Sequence, residues 1–149
     1  SLRQSFLAHY EANIAVHTSL YPGIEELIKA LNTSSIPWGI VTNKPIDLTL
    51  KLLPHFNEFS QCKVVLGGDS LPQRKPHPAP LLKACESLNI TPENCVYVGD
   101  APRDIAAGTA ADMKSVIALW GYIADQRECD NWQADQQINN PTLLMDNFL

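Results

Sequence analysis

Cys95-Val96-Tyr97-Val98-Gly99-Asp100 is an apolar run that ends in a glycine and a carboxylate. An almost wholly apolar segment of this length is typical of a strand buried on both faces of a parallel sheet. Residues 102–111 follow with a helical pattern that begins at a proline, the residue favoured in the first turn of a helix. A strand that leads directly into a helix predicts a βαβ unit.

The same alternation extends on both sides of this unit. Strands are predicted at residues 36–42, 63–66 and 115–119, and helices at 22–31, 45–53 and 78–88. Crossovers of this length predict an α/β protein with a doubly wound parallel sheet of the Rossmann-like type. Asp112, directly after the helix at 102–111, is a residue type that tolerates the left-handed conformation.

The two ends of the chain have weaker patterns. Leu2, Phe6, Leu7, Tyr10 and Ile14 recur at helical spacing, so residues 2–15 are predicted to form an amphipathic helix. Residues after 119 are rich in Asn, Gln and Asp and predict mostly loop. A short edge strand near Gln137-Ile138 and a closing helix from Pro141 are predicted within this part.

The composition indicates one domain or a piece of a larger protein. The 149 residues are 45% hydrophobic and carry a formal charge of -5. This acidic balance has no electrostatic footprint for nucleic acid or an anionic membrane surface, so both are excluded as partners. The four cysteines are scattered without a Cys-x-x-Cys pair. Such a pattern indicates reduced thiols and a cytoplasmic location.

Three short polar segments carry the candidate chemistry. They are Val41-Thr42-Asn43-Lys44, Arg74-Lys75-Pro76-His77-Pro78 and Gly99-Asp100-Ala101-Pro102-Arg103-Asp104. The first and the third directly follow predicted strands. Ligands bind at the carboxyl ends of strands in an open parallel sheet, so the sequence predicts that Thr42 and Asp100 face one crevice.

These side chains are suited to phosphoryl transfer, in which catalysis is largely positioning and electrostatic stabilisation. Thr42 can donate its hydroxyl, Asn43 its amide, and Lys75 a positive charge to a phosphate. Asp100 is an oxygen ligand of the kind that Mg²⁺ prefers. Asp104 lies one helical turn later, where it could hold a metal-bound water or orient Lys75. The predicted metal ligands are therefore Asp100 and Asp104.

Each segment also has an ordinary structural interpretation. Thr-Asn after a strand is a common turn, and a lysine in a proline-rich loop is commonly a solvated charge. Asp100 before a helix can act as a cap, and Asp104 can pair with Arg103. The order of the segments and their placement at strand ends favour the joint functional interpretation.

The three segments resemble motifs two, three and four of the haloacid dehalogenase superfamily of phosphatases. The similarity covers nearly the whole chain and is to the phosphoglycolate phosphatase branch, particularly to its relative that acts on N-acetylmuramic acid 6-phosphate. It implies catalytic roles for Thr42, Lys75 and Asp100, with Thr42, Asn43 and Lys75 binding the substrate. It also implies a Mg²⁺ cofactor and a small phosphorylated metabolite as substrate.

One part of the family site is missing from this sequence. The family's aspartyl-phosphate nucleophile lies in an Asp-x-Asp motif, and no two Asp residues of this chain stand two positions apart. The resemblance implies that residues 1–18 are the last helix and return linker of a helical cap and that residues 19–149 belong to the core. It further implies that the first, central strand is absent and that a groove crosses the sheet.

Two functional hypotheses follow. The first is a Mg²⁺-dependent phosphomonoester hydrolase that is inactive as this chain, and the second is a non-catalytic phosphate-binding or scaffold domain. A receiver domain is disfavoured, because its acidic residues precede the Thr and Lys. Exposed strand edges would allow pairing with a second copy. The particular phosphomonoester stays open, because most of the cap that selects it is not in the sequence.

Overall fold

The computed structural model describes residues 5–8, 23–43, 46–47, 62–119 and 126–148. Within these ranges the strands are β1 (Ser5–Ala8), β2 (Trp38–Val41), β3 (Val64–Leu66), β4 (Cys95–Gly99), β5 (Lys114–Ala118) and β6 (Gln136–Ile138). The α-helices are α1 (Ile24–Thr33), α2 (Ala79–Leu88), α3 (Pro102–Ala110) and α4 (Leu143–Phe148). Short 3₁₀ helices occupy Pro92–Asn94 and Gln126–Trp132.

The strands form one parallel sheet in the order β3-β2-β1-β4-β5-β6. The order reverses direction at the centre, since β2 and β3 lie on one side of β1 and β4 to β6 on the other. This is the arrangement of a doubly wound sheet, and it confirms the predicted α/β class. β3 and β6 are the edges of the sheet, and pairing of two copies through them stays a prediction.

β1 corrects two expectations from the sequence. Residues 5–8 were predicted to be helical, but they form a strand that pairs with β2 through Phe6 and Trp38 and with β4 through Phe6 and Val96. The predicted groove between β2 and β4 is therefore wrong, because β1 occupies that position. A short apolar segment is ambiguous between helix and strand, and the unpaired backbone groups of two flanking strands favour the strand. The rest of the predicted helix and of the segment 1–18 lies outside the described residues.

Helices cover both faces of the sheet. One core cluster joins α1 and α4 to β2, β4, β5 and β6. The opposite face packs against α2 and α3. β4 shows the alternation directly, because Val96 and Val98 belong to the first cluster, whereas Cys95 and Tyr97 belong to the second. All four side chains are buried, as predicted for a central strand.

The other predicted elements between residues 22 and 119 that the structure describes are observed within two residues of the expected bounds. Of the helix predicted at 45–53, Ile46 and Asp47 are described and are helical, and the remainder lies outside the described residues. The 3₁₀ helix Gln126–Trp132 replaces part of the predicted loop. Asp112 adopts the predicted left-handed conformation, with φ of 64°. Within the described ranges, none of the helices has the length and apolar character needed to span a membrane.

Candidate phosphate-binding site

Lys75 connects the ends of β2 and β4. Its side chain is 0% exposed, and its ammonium group donates three hydrogen bonds to described residues. The acceptors are Asp104 Oδ1 at 2.6 Å, Tyr97 Oη at 2.7 Å and Val41 O at 3.2 Å. Val41 is the last residue of β2 and precedes Thr42. The lysine therefore lies at the carboxyl ends of two strands that flank β1.

Asp104 is the ionic partner of Lys75, and its side chain is also 0% exposed. Its second oxygen, Oδ2, accepts the backbone N–H of Asp100 at 3.0 Å and of Ala101 at 3.1 Å. These contacts satisfy N–H groups at the start of α3, where an acidic side chain is favoured. A Cβ on Gly99 would lie 2.6 Å from Asp104 Cγ, so the carboxylate fits only because residue 99 has no side chain.

Thr42 and Asn43 form the turn after β2. The backbone N–H of Thr42 donates to Leu66 O at 3.0 Å, and the residue is 1% exposed. The Asn43 amide donates to the carbonyl of Lys75 at 3.2 Å, which ties this turn to the lysine loop. A Cβ on Gly68 would lie 2.7 Å from the Asn43 carbonyl carbon, so the loop after β3 packs directly on the turn.

Burial and the charge of Asp104 act in opposite directions on the pKa of Lys75. Desolvation lowers the pKa of Lys75 from its ordinary value of 10.5, whereas the charge and hydrogen bond of Asp104 raise it. For Tyr97, which is 0% exposed, burial is the largest cause of a pKa well above 10.0, and the charge of Asp104 acts in the same direction. The phenol is therefore neutral at pH 7, so it can donate its proton to Val41 O at 3.1 Å.

The structure brings Lys75 and Asp104 into direct contact and links Asp100 to them through its backbone N–H. It places Thr42 next to the carbonyl that accepts from the lysine. The sequence interpretation missed Tyr97, which was assigned only to a buried strand. A signal was present, because a tyrosine buried among aliphatic residues usually requires a hydrogen-bond partner for its hydroxyl.

The described residues fit Mg²⁺ only in part. Asp100 supplies one carboxylate at the end of β4, and Mg²⁺ is commonly bound by one or two carboxylates together with waters and substrate phosphate. Both oxygens of Asp104 already accept hydrogen bonds from Lys75 and from the start of α3. Across the described part of the chain, no group of three or more His, Cys, Asp or Glu side chains is placed to hold a metal ion. The site as described lacks a complete ligand set.

The family model for haloacid dehalogenase-like hydrolases matches residues 2–118. The chain therefore belongs to the haloacid dehalogenase-like hydrolases.

Among curated proteins, the chain is 47% identical to a phosphoglycolate phosphatase of Xylella fastidiosa over 139 residues, covering 93% of this chain and 61% of the relative. It is 35% identical to an N-acetylmuramic acid 6-phosphate phosphatase of Pseudomonas aeruginosa, covering 97% of this chain and 64% of that relative. The chain thus spans less than two thirds of the length of either relative.

The solved structures agree with the fold. A crystal structure of a predicted phosphoglycolate phosphatase from Haemophilus somnus superposes with a TM-score of 0.79 at 28% sequence identity. The match covers 89% of this chain and 60% of that one. The α/β architecture is therefore shared with this structure over most of the described chain.

Proposed function

We propose that this chain supplies the phosphate-binding part of a phosphomonoester hydrolase that acts on a small organic or sugar-acid phosphate. The observation that carries the proposal is the buried Lys75 ammonium, held between the end of β2 and Asp104 at the start of α3. A fixed positive charge at the end of β2, where Thr42 follows the carbonyl that the lysine contacts, is suited to the equatorial oxygens of a phosphoryl group. The relatives named above act on phosphorylated acids, which supports this substrate class.

The roles divide among five residues. Thr42 donates its hydroxyl to a phosphate oxygen, and Lys75 provides the positive charge. Asp104 positions the lysine, because its two oxygens join Lys75 Nζ to the backbone at the start of α3. Asp100 is the residue of this chain that would ligate Mg²⁺, which when bound supplies charge neutralisation at the phosphate oxygens. Asn43 acts through its hydrogen bond to the Lys75 carbonyl, which fixes the turn after β2.

A second candidate function is a phosphate-binding domain without turnover. It is favoured by the sequence, which contains no Asp-x-Asp pair to form a covalent phosphoenzyme. Under this alternative, Thr42 and Lys75 bind an anion as described, but no phosphate is released. We propose that the 149-residue chain alone behaves in this way.

Phosphate titration followed by amide NMR tests the binding site. We expect inorganic phosphate to bind the wild-type chain and Thr42→Val to weaken this binding at least about fivefold, since one hydrogen bond to a charged group is lost. Thr33→Val is the matched control, because Thr33 is exposed at the end of α1. Equal phosphate affinity in Thr42→Val and Thr33→Val, or no phosphate binding by the wild type, would contradict the proposed site.

Hydrolysis of phosphoglycolate separates the two candidate functions. We expect no phosphate release by the chain above the protein-free rate, with or without Mg²⁺. Asp100→Asn and Asp112→Asn form a matched pair of substitutions, one at the proposed site and one at an exposed residue after α3. Mg²⁺-dependent release that Asp100→Asn abolishes and Asp112→Asn preserves would show that the chain is itself a catalyst.

A further inference from the structure

The hydrogen bonds of Lys75 raise a question about how it reaches a phosphate. An ammonium group has three hydrogens, and among the described residues the structure gives it three acceptors: Asp104 Oδ1, Tyr97 Oη and Val41 O. A direct contact between Lys75 and an anion therefore requires that one of these hydrogen bonds be released.

The bond to Val41 O is the one that can be released at least cost. It is the longest of the three, at 3.2 Å, and its acceptor is neutral. The bond to Asp104 is a buried charge pair at 2.6 Å, and breaking such a pair is strongly unfavourable. The bond to Tyr97 is short, at 2.7 Å. Val41 O also lies directly before Thr42, the residue that follows β2.

Tyr97 provides the second half of the argument. Its hydroxyl accepts from Lys75 and donates to Val41 O at 3.1 Å, so the carbonyl has two donors among the described residues, Lys75 and Tyr97. If the lysine moves to an anion, the carbonyl keeps the phenol as its donor. A buried carbonyl without a donor would otherwise carry a desolvation penalty.

We propose that Tyr97 is a positioning residue that lets Lys75 exchange the Val41 carbonyl for a phosphate oxygen without leaving that carbonyl unpaired. This inference rests on the proposed function, because it assumes that the anion at the site is a phosphate. It assigns a role to a residue that lies within β4 and outside the three polar segments. Lys75 keeps Asp104 and Tyr97 as acceptors throughout the exchange.

The first test measures the phosphate affinity of Tyr97→Phe. We expect phosphate binding about tenfold weaker than in the wild type, which corresponds to about 1.4 kcal/mol, because the exchange now removes from Val41 O both of its donors among the described residues. Leu81→Val is the control for a purely structural effect, since Leu81 is 0% exposed and packs in the same core cluster as Tyr97. Leu81→Val should lower stability and leave phosphate affinity unchanged.

The opposite result would overturn the inference. Removing the phenol also frees one lysine hydrogen, and if that hydrogen could reach the phosphate directly, Tyr97→Phe would bind phosphate as well as or better than the wild type. A double-mutant cycle gives an independent check. In a Lys75→Met background, Tyr97→Phe should have no further effect on phosphate affinity, and an undiminished effect there would show that Tyr97 does not act through the lysine.

A second measurement uses only the wild-type chain, so it does not depend on the folding of the variants. The carbonyl carbon of Val41 is observed through the amide of Thr42 in a triple-resonance spectrum. We expect phosphate to move the Val41 carbonyl signal upfield as the lysine leaves, whereas the Leu66 carbonyl, which accepts from the Thr42 N–H, should not move. Phosphate binding with an unmoved Val41 signal would overturn the exchange alone, and no binding would overturn the proposed function as well.

Discussion

Asp104→Asn is the substitution that most directly tests the buried ion pair. The aspartate and Lys75 are both 0% exposed and lie 2.6 Å apart. Asparagine keeps an oxygen that can accept from the backbone N–H groups of Asp100 and Ala101, and it places a neutral amide opposite the lysine. The substitution therefore removes the negative charge while it retains the shape of the side chain and the contacts at the start of α3.

We expect Asp104→Asn to lower the free energy of unfolding by about 3–5 kcal/mol, because it leaves the ammonium group buried without its counter-ion. This is a large fraction of the roughly 5–15 kcal/mol that stabilises a typical domain. The matched control is Glu25→Gln, which breaks the ion pair between Glu25 and Lys29 at 3.0 Å on the surface of α1. Those side chains are 50% and 70% exposed, so we expect a loss of about 0.3–0.5 kcal/mol.

Urea unfolding followed by circular dichroism at pH 7 measures both variants against the wild type. A third variant, Lys75→Met combined with Asp104→Asn, should regain at least about 1 kcal/mol relative to Asp104→Asn, because it removes the unpaired charge. If Asp104→Asn costs no more than Glu25→Gln, the buried pair does not contribute as argued. If adding Lys75→Met only deepens the loss, the cause is not the orphaned ammonium.

Three further substitutions give the remaining predictions: two replace glycines and have opposite effects on stability, and one replaces a cysteine and changes the pH dependence of stability. Gly99→Ala should lower stability and disturb Asp104, since the added Cβ meets that carboxylate. Gly108→Ala should instead raise stability by about 0.5–1 kcal/mol, because its Cβ meets only ordinary contacts in the interior of α3. Thermal unfolding of both variants checks this, and equal effects on stability would contradict it. Burial raises the pKa of Cys62 from 9.0 to about 11, so above pH 9 the unfolded thiol ionises while the native thiol stays protonated. Wild-type stability should therefore fall by about 2 kcal/mol more than that of Cys62→Ala between pH 9 and pH 11. Urea unfolding under reducing conditions measures this difference. An equal loss of stability between pH 9 and pH 11 in the wild type and in Cys62→Ala would contradict the raised pKa of Cys62.

Much of the fold was predictable because the patterns of the central strands are unambiguous. The apolar run at 95–99 and the helix that begins at Pro102 are fixed by local composition and turn chemistry, and the structure confirms both. β1 was not predictable in the same way. Ser5–Ala8 is a four-residue segment whose state is decided by pairing with distant residues, since Phe6 pairs with Trp38 and Val96, which lie 32 and 90 positions later. Local periodicity contains no information about such partners.

The candidate site was also predictable only in part. Thr42, Lys75 and Asp100 were proposed from the order of their segments, and Thr42 and Asp100 also from their position after strands. The contact of Lys75 with Tyr97 depends on the α2 face of the sheet, to which odd-numbered residues of β4 point. Pattern reasoning treated residue 97 as interchangeable with its aliphatic neighbours, because a strand pattern reports burial and not hydrogen bonding. The choice between the two roles weighed for Asp104 likewise required the distances to the lysine and to the start of α3.

The placement of β1 has a consequence for cooperativity. Thr42 and Asp100 follow strands on opposite sides of this four-residue segment, so β1 joins the two halves of the sheet. The backbone hydrogen bonds of β1 connect these halves, and the hydrogen bonds from Lys75 and Tyr97 to Val41 O connect them a second time at the carboxyl end of β2. Transient detachment of β1 would therefore weaken the contact between the two halves of the sheet. The hydrogen bonds of Lys75 would then be the link that holds the two halves in register.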